Sequence, residues 1–351
     1  MTSPRNAPEV DPHSQACVTE IKHPEASPVK DVGTKEKDAK RAMSDRPKQT
    51  QSLAWFPILL ATIATMSWAG NITLAKLVNA NIPPLGLSFW RWTVAAIVLL
   101  PFVYTPMREK WPLFKQHLGL VLLLALLGVA GYNSLVYIAL ENTLSTNVVI
   151  LQSASPLMIL LVQFFLLKQA ATLKQTLAIL TSAIGVLLII TKGQLVSDFA
   201  IGNSELIALF GILVWATYSV LVQKLPDALK GLPILGYTVC LGVVMIFPFY
   251  LAESVFYETM PISPQSIAIS LYTGVFASGI AFWCWNTALM RMGAATTGQF
   301  MHLIPAFGLV FSMLLLGERM ETYHYIGIVF IVSGLVIANI QRGATAESAS
   351  S

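Results

Sequence analysis

Arg91 sits between Trp90 and Trp92 in the stretch SFWRW, inside a long apolar run. In a membrane an arginine costs at least about 2.5–3.5 kcal/mol on insertion scales unless it finds partners or water. Two readings of Arg91 stand. It is an anchor for an anion or carboxylate at the mouth of a cavity, or it is structural, snorkelling outward or bonded to carbonyls at a neighbouring helix end. His302 also lies in an apolar run, and its unperturbed pKa is near neutrality. It suits a proton-coupling site, a ligand contact or a hydrogen-bonded structural group. The other polar side chains in such runs are mostly amides and aromatics at helical spacing. Trp68 and Asn71 are three apart, as are Trp215 and Tyr218, and Asn133 and Tyr137 are four apart. Asn147, Gln152 and Ser153 fall in one run, Asn286 in another, and Thr296, Gln299 and His302 recur every third residue. Amides are costly in lipid, so they face protein or water. Interhelical hydrogen bonds account for such residues singly. As a set, Trp68, Asn71, Arg91, Asn133, Tyr137, Gln152, Trp215, Tyr218, Asn286, Gln299 and His302 are candidates to line a cavity.

The chemistry that is missing narrows the field. Glu141, Glu205, Glu253, Glu318 and Glu321 all fall at the ends of apolar runs, and no Asp or Glu lies deep in one. A cavity without a buried carboxylate favours neutral, zwitterionic or anionic ligands over cations. Ser153 and His302 occupy matching positions of a repeat rather than forming a designed catalytic dyad, which weighs against an intramembrane enzyme. There is no nucleotide-binding motif, no CxxC and no His/Cys spacing for a metal, so no cofactor is expected. Cys240 and Cys284 lie in apolar runs and read as small buried side chains.

The elements that hold these residues follow from composition. The chain has 351 residues, 55% hydrophobic and only 11% charged, against roughly 25% charged in soluble domains. Nine of its 22 Lys and Arg lie within residues 1–50. This is the pattern of an all-α, multi-pass membrane protein embedded in a lipid bilayer, and the net charge of +4 is weak evidence for a nucleic-acid partner. Windows of about 20 apolar residues give ten transmembrane helices, near 53–75, 85–105, 117–137, 145–167, 173–191, 205–223, 233–252, 266–286, 294–316 and 323–340. Residues 1–52 form a polar, aperiodic tail expected to be disordered and cytoplasmic, with Met43 an alternative start, and 341–351 a short C-terminal tail. With the N-terminus inside, the inner loops hold Arg108, Lys110, Lys115, Lys168, Lys174, Lys224, Lys230 and Arg291, while the outer ones hold Lys76, Lys192 and Arg319. The positive-inside rule then places both termini in the cytoplasm.

The two halves match. Trp68 and Trp215 are 147 apart, as are Pro101 and Pro248; Pro156 and Pro305 are 149 apart, as are Gly185 and Gly334. A unit of five helices is duplicated, at 53–192 and 205–340. An odd number of spans per unit inverts the second copy, the plan of secondary transporters with a site between halves.

On these residues the chain resembles the EamA-like transporters of the drug/metabolite transporter superfamily. SWAGNITLAK (67–76) resembles that family's first helix, and PPLGLSFWRWTVAA its second, which usually carries an arginine. The stretches from GYNSLVYIALENTLSTNVVI and from FWCWNTALMRMGAATTGQFMHLIP resemble its third–fourth and eighth–ninth helix pairs, and IGIVFIVSGLVIA its last. The resemblance implies an inner-membrane exporter or exchanger of a small metabolite, with an amino acid or derivative the leading substrate and a multidrug exporter, an intramembrane enzyme or a receptor the alternatives. The sequence departs from the family in two places. Lys168-Gln169 stands where the family often has Gly-Glu, a pair kept in the second copy as Gly317-Glu318, and His302 stands where relatives carry an apolar residue.

Overall fold

The computed structural model describes residues 55–78, 82–141, 148, 151–193, 202–316 and 320–339. The two expected tails, Asn147 and the Gly317-Glu318 pair lie outside them. Every regular element among the described residues is helical. In chain order these are α1 (Trp55–Val78), α2 (Pro84–Gln116), α3 (Leu118–Glu141), α4 (Ser155–Leu167) and α5 (Leu173–Ile190). The second half has α6 (Asn203–Lys224), α7 (Leu232–Phe256), α8 (Pro264–Met292), α9 (Ala294–Leu315) and α10 (Thr322–Asn339). Among them α2, α3 and α5 to α9 are long and apolar enough to cross a membrane, and α4 and α10 carry shorter apolar stretches. Large apolar side chains stand exposed around the outside, among them Phe165, Val244, Phe249, Leu314 and Val329. Water does not tolerate so wide an apolar surface, whereas a bilayer requires it.

The sequence predicts a break at TPMREKWP. The helix instead runs unbroken through Pro101, Pro106 and Pro112 and ends at His117. Each proline removes a backbone donor and crowds the preceding turn, but the extension is braced from outside. Trp111 stacks on Phe114 at 5.1 Å, and Phe114 on Tyr237 of α7 at 4.0 Å. The Tyr237 hydroxyl donates to the Met107 carbonyl. At the other end of the same helix pair, Glu253 accepts from the backbone N–H groups of Leu85 (3.0 Å) and Gly86 (2.6 Å). These are orphan donors of the first turn of α2, and a carboxylate there also meets the positive helix end.

Two irregularities recur in both halves. α3 contains a π-helical segment at Leu126–Gly131 and α8 one at Thr273–Ile280. The helix is also interrupted before Pro156, and before Pro305, where Gln299–His302 is a 3₁₀ turn. Both interruptions fall just before matched prolines, which cannot donate to the turn before them.

Helix packing follows a pairing rule. α1 packs on α8 as α6 packs on α3, α1 on α9 as α6 on α4, and α2 on α8 as α7 on α3. Matched helices also pack on each other: α2 on α7, α4 on α9 and α5 on α10. Gly185 and Gly334 let α5 and α10 meet backbone to backbone. A Cβ on Gly185 would collide with the Gly327 carbonyl, and one on Gly334 with that of Ala178. The largest fully buried side chains, Trp92, Trp285, Tyr218 and Phe282, fill the core where the halves meet.

Candidate functional site

A cavity of about 280 Å³ lies between the halves, walled by α1, α2, α3, α6, α8, α9 and the turn before α4. Trp68, Asn71, Arg91, Asn133, Tyr137, Gln152 and Trp215 all line it. Tyr132, Val136 and Leu140 add to the face of α3, Trp92 and Leu87 to that of α2, and Phe282, Ile269, Met301 and Ile304 close the opposite side.

Arg91 is 3% exposed, so it does not snorkel to an interface. Its Nε donates to Ser278 Oγ at 2.7 Å. Its Nη1 donates to Asn133 Oδ1 at 3.0 Å and to the Tyr137 hydroxyl. Its guanidinium carbon lies 5.5 Å from the Trp92 ring centre and 5.8 Å from that of Tyr137. Nη2 makes no hydrogen bond among the described residues. Every partner is neutral, and the ion pair among the described residues is Lys230–Asp227, far along the chain in a loop. In that loop Lys230 holds the Asp227 carboxyl below its usual range, mainly through their hydrogen bond.

The aromatic wall is built from both halves. Trp68 Nε1 donates to the Ala277 carbonyl at 2.9 Å. Ala277 lies in the π-helical segment of α8, where the backbone ladder is offset and a carbonyl is accessible from the side. Trp68 meets Trp215 edge-on at 5.5 Å and Trp285 at 5.1 Å, and Trp215 lies 4.9 Å from Tyr132. The Gln152 amide donates to the Tyr132 hydroxyl at 3.4 Å.

Four of the sequence candidates do not line the cavity. Tyr218 and Asn286 lie behind the Trp215–Phe282 wall, bonded to each other at 2.7 Å with Tyr218 stacked on Phe282 at 5.3 Å. Gln299 is 1% exposed and does not border the cavity; the 3₁₀ turn before Pro305 eclipses residues three apart, so Gln299 shares the face of His302, which also lies off the cavity. His302 is also 1% exposed. Its Nε2 lies 2.9 Å from the Ser153 carbonyl and its Nδ1 2.5 Å from Ser182 Oγ of α5. A void of about 10 Å³, bordered by Gln152, Met301 and Ile304, separates it from the cavity. Sequence reasoning missed Ser278, Tyr132 and Ser182. Serine in a helix carries no signal of its own, and Ser278 is aimed at Arg91 only through the π-helical offset.

A sequence model of the EamA-like transporter family matches residues 55–191 and again residues 203–340. The chain belongs to the EamA-like transporter family. It is similar to the uncharacterized transporter YyaM of Bacillus subtilis strain 168, with 27% identity over 277 residues, 77% of this chain and 88% of that protein. It is also similar to a probable amino-acid metabolite efflux pump of Escherichia coli K12, with 23% identity over 293 residues, 80% of this chain and 93% of the relative. A solved crystal structure superposes with a TM-score of 0.65 at 18% identity, covering 81% of this chain and 96% of that one, a likeness of fold. Family membership and the apolar helices together make this a multi-span membrane transporter of small molecules.

Proposed function

We propose that the protein is a secondary transporter of ten spans that exports or exchanges a small metabolite, an amino acid or a derivative, across the bacterial inner membrane. The observation that carries this reading is the cavity between two halves whose helix contacts match under exchange of the halves. Such pairing is what an inverted duplication, residues 53–192 against 205–340, is built to produce, and a site between inverted repeats supports alternating access. The π-helical segments and proline interruptions, repeated at matching positions, support the same assignment. Both termini are cytoplasmic in this reading, because the cations concentrate in loops on that side. Trp68, Asn71, Arg91, Asn133, Tyr137, Gln152 and Trp215 contact substrate, while Tyr218, Asn286 and Gln299 support the wall from behind. The chain acts by binding and release rather than as an enzyme. The name of the Escherichia coli relative supports amino acids and their metabolites as cargo.

His302 is assigned the proton-coupling role. The groups around it are Ser153 in the turn before α4 and Ser182 and Val186 of α5, none of which titrates. Gln152, Met301 and Ile304 lie between it and the cavity, bordering both the cavity and the small void beside His302.

The test is counterflow. Purified protein in liposomes preloaded with an unlabelled metabolite mixture should accumulate labelled members of that mixture, amino acids and their derivatives first. Uptake no faster than in protein-free liposomes across the whole mixture would refute the transport reading.

A further inference from the structure

We infer that the transported species is a hydrophobic monocarboxylate whose amine is absent or masked, such as an N-acylated aromatic or branched amino acid, rather than a free amino acid. This rests on the transporter reading above and narrows it. The inference starts from charge. Arg91 lines the cavity with its Nε and Nη1 held by Ser278, Asn133 and Tyr137, all neutral, and Nη2 unbonded among the described residues. A buried guanidinium fixed by neutral partners remains one full positive charge in a low-dielectric site, and a carboxylate meets it with a charge-assisted pair. Glu253, the buried carboxylate at this end of α2, is already engaged by the Leu85 and Gly86 N–H groups. It therefore offsets the positive helix end and leaves Arg91 unbalanced.

The second observation is what the rest of the wall offers. The described lining contains no Asp or Glu. A substrate ammonium would enter this cavity beside Arg91 with no carboxylate to meet it. Its acceptors there would be the amide oxygens of Asn71, Asn133 and Gln152, which carry no charge, and that of Asn133 is already shared with the arginine. Burying such a cation without a counter-charge is costly. Much of the rest of the wall is aromatic and aliphatic, with Trp68, Trp215, Phe282 and Ile304 suited to an apolar side chain. One cation fits one carboxylate, whereas a phosphate dianion would leave a charge unmet.

A charge series on one ring tests this. N-acetyl-L-phenylalanine, L-phenylalanine, N-acetyl-L-phenylalaninamide and phenethylamine are titrated against purified protein in lipid nanodiscs, with binding followed by tryptophan fluorescence, and each is offered for counterflow. Hydrogen bonds to charged groups contribute about 1.5–3 kcal/mol, so the N-acetyl acid should bind roughly ten- to a hundredfold more tightly than its amide. The free amino acid should be weaker than the N-acetyl acid, and the amine should not bind. Equal binding of acid and amide, or free phenylalanine binding as tightly as its N-acetyl form, overturns the inference. So does failure of the whole series to bind. In either case, exchange of other metabolites by the same preparation leaves the transporter reading standing, and exchange of none removes both. Arg91→Gln should abolish the preference for acid over amide. Because that change strips three partners of their donor, Asn133→Asp is the companion variant. It keeps the shape and the contact to Nη1 but supplies the missing counter-charge. It should weaken the N-acetyl acid at least about tenfold more than it weakens the amide. If the N-acetyl acid binds that variant as it binds the wild type, Arg91 is not its anchor.

Discussion

Tyr218 and Arg91 are both polar groups at helical spacing within apolar runs, yet one is satisfied and the other is not. Tyr218 has Asn286 as its partner, sealed behind Trp215 and Phe282. Tyr218→Phe should therefore lower the thermal stability of the detergent-solubilised protein, by about 1–3 kcal/mol for the orphaned Asn286 oxygen. Affinity for cargo should stay within about twofold, a change of at most ~0.4 kcal/mol. A large loss of affinity without loss of stability would place Tyr218 in the site. His302→Gln keeps a donor and an acceptor but cannot gain a proton in the physiological range. Transport should persist, and its response to an imposed proton gradient should be lost; an unchanged response moves coupling elsewhere. Arg91 was legible in the sequence as an anomaly, because a cation in an apolar run demands a cause. Its orientation was not legible. That depends on Ser278, whose direction is set by a π-helical offset with no compositional mark.

The helices themselves were largely legible, since a span needs a run of about twenty apolar residues and the loops carry the charges. What the pattern could not give was the course of α2 past its third proline. That depends on a stack with Tyr237, a contact 123 residues away in the chain. The departure Lys168-Gln169 becomes intelligible at this scale. Lys168 closes α4 with φ of 56°, a left-handed conformation in which a side chain is strained and glycine is not. Lys168→Gly should accordingly stabilise the protein by up to about 1–2 kcal/mol, read as a raised thermal midpoint in detergent. A lowered midpoint would mean that the lysine side chain contributes more than the backbone strain costs.

For the whole molecule, the matched Trp, Pro and Gly positions were enough to propose a duplication before any contact was known. The reason is that helix-packing sites are the places where residue size is least free, as at Gly185 and Gly334. Orientation is the part to be measured. Reporter fusions after residues 110, 170, 228 and 291 should report cytoplasm, and those at 198 and 258 the opposite side. A cytoplasmic signal at 258 would contradict inversion of the second half. The long α2 also has a mechanical consequence. Its hydrophobic stretch is anchored at the cavity by Arg91, and 25 residues later it ends at exposed Gln116, roughly 37 Å away at 1.5 Å per residue. A tilt of about 5° at the guanidinium moves that tip by about 3 Å, so the helix is a pointer that magnifies a small change at the cavity. Spin labels at Gln116 and Ala170, both exposed, should therefore change separation by several ångströms when cargo fills the cavity, and pulsed electron spin resonance reads that change without touching the site itself.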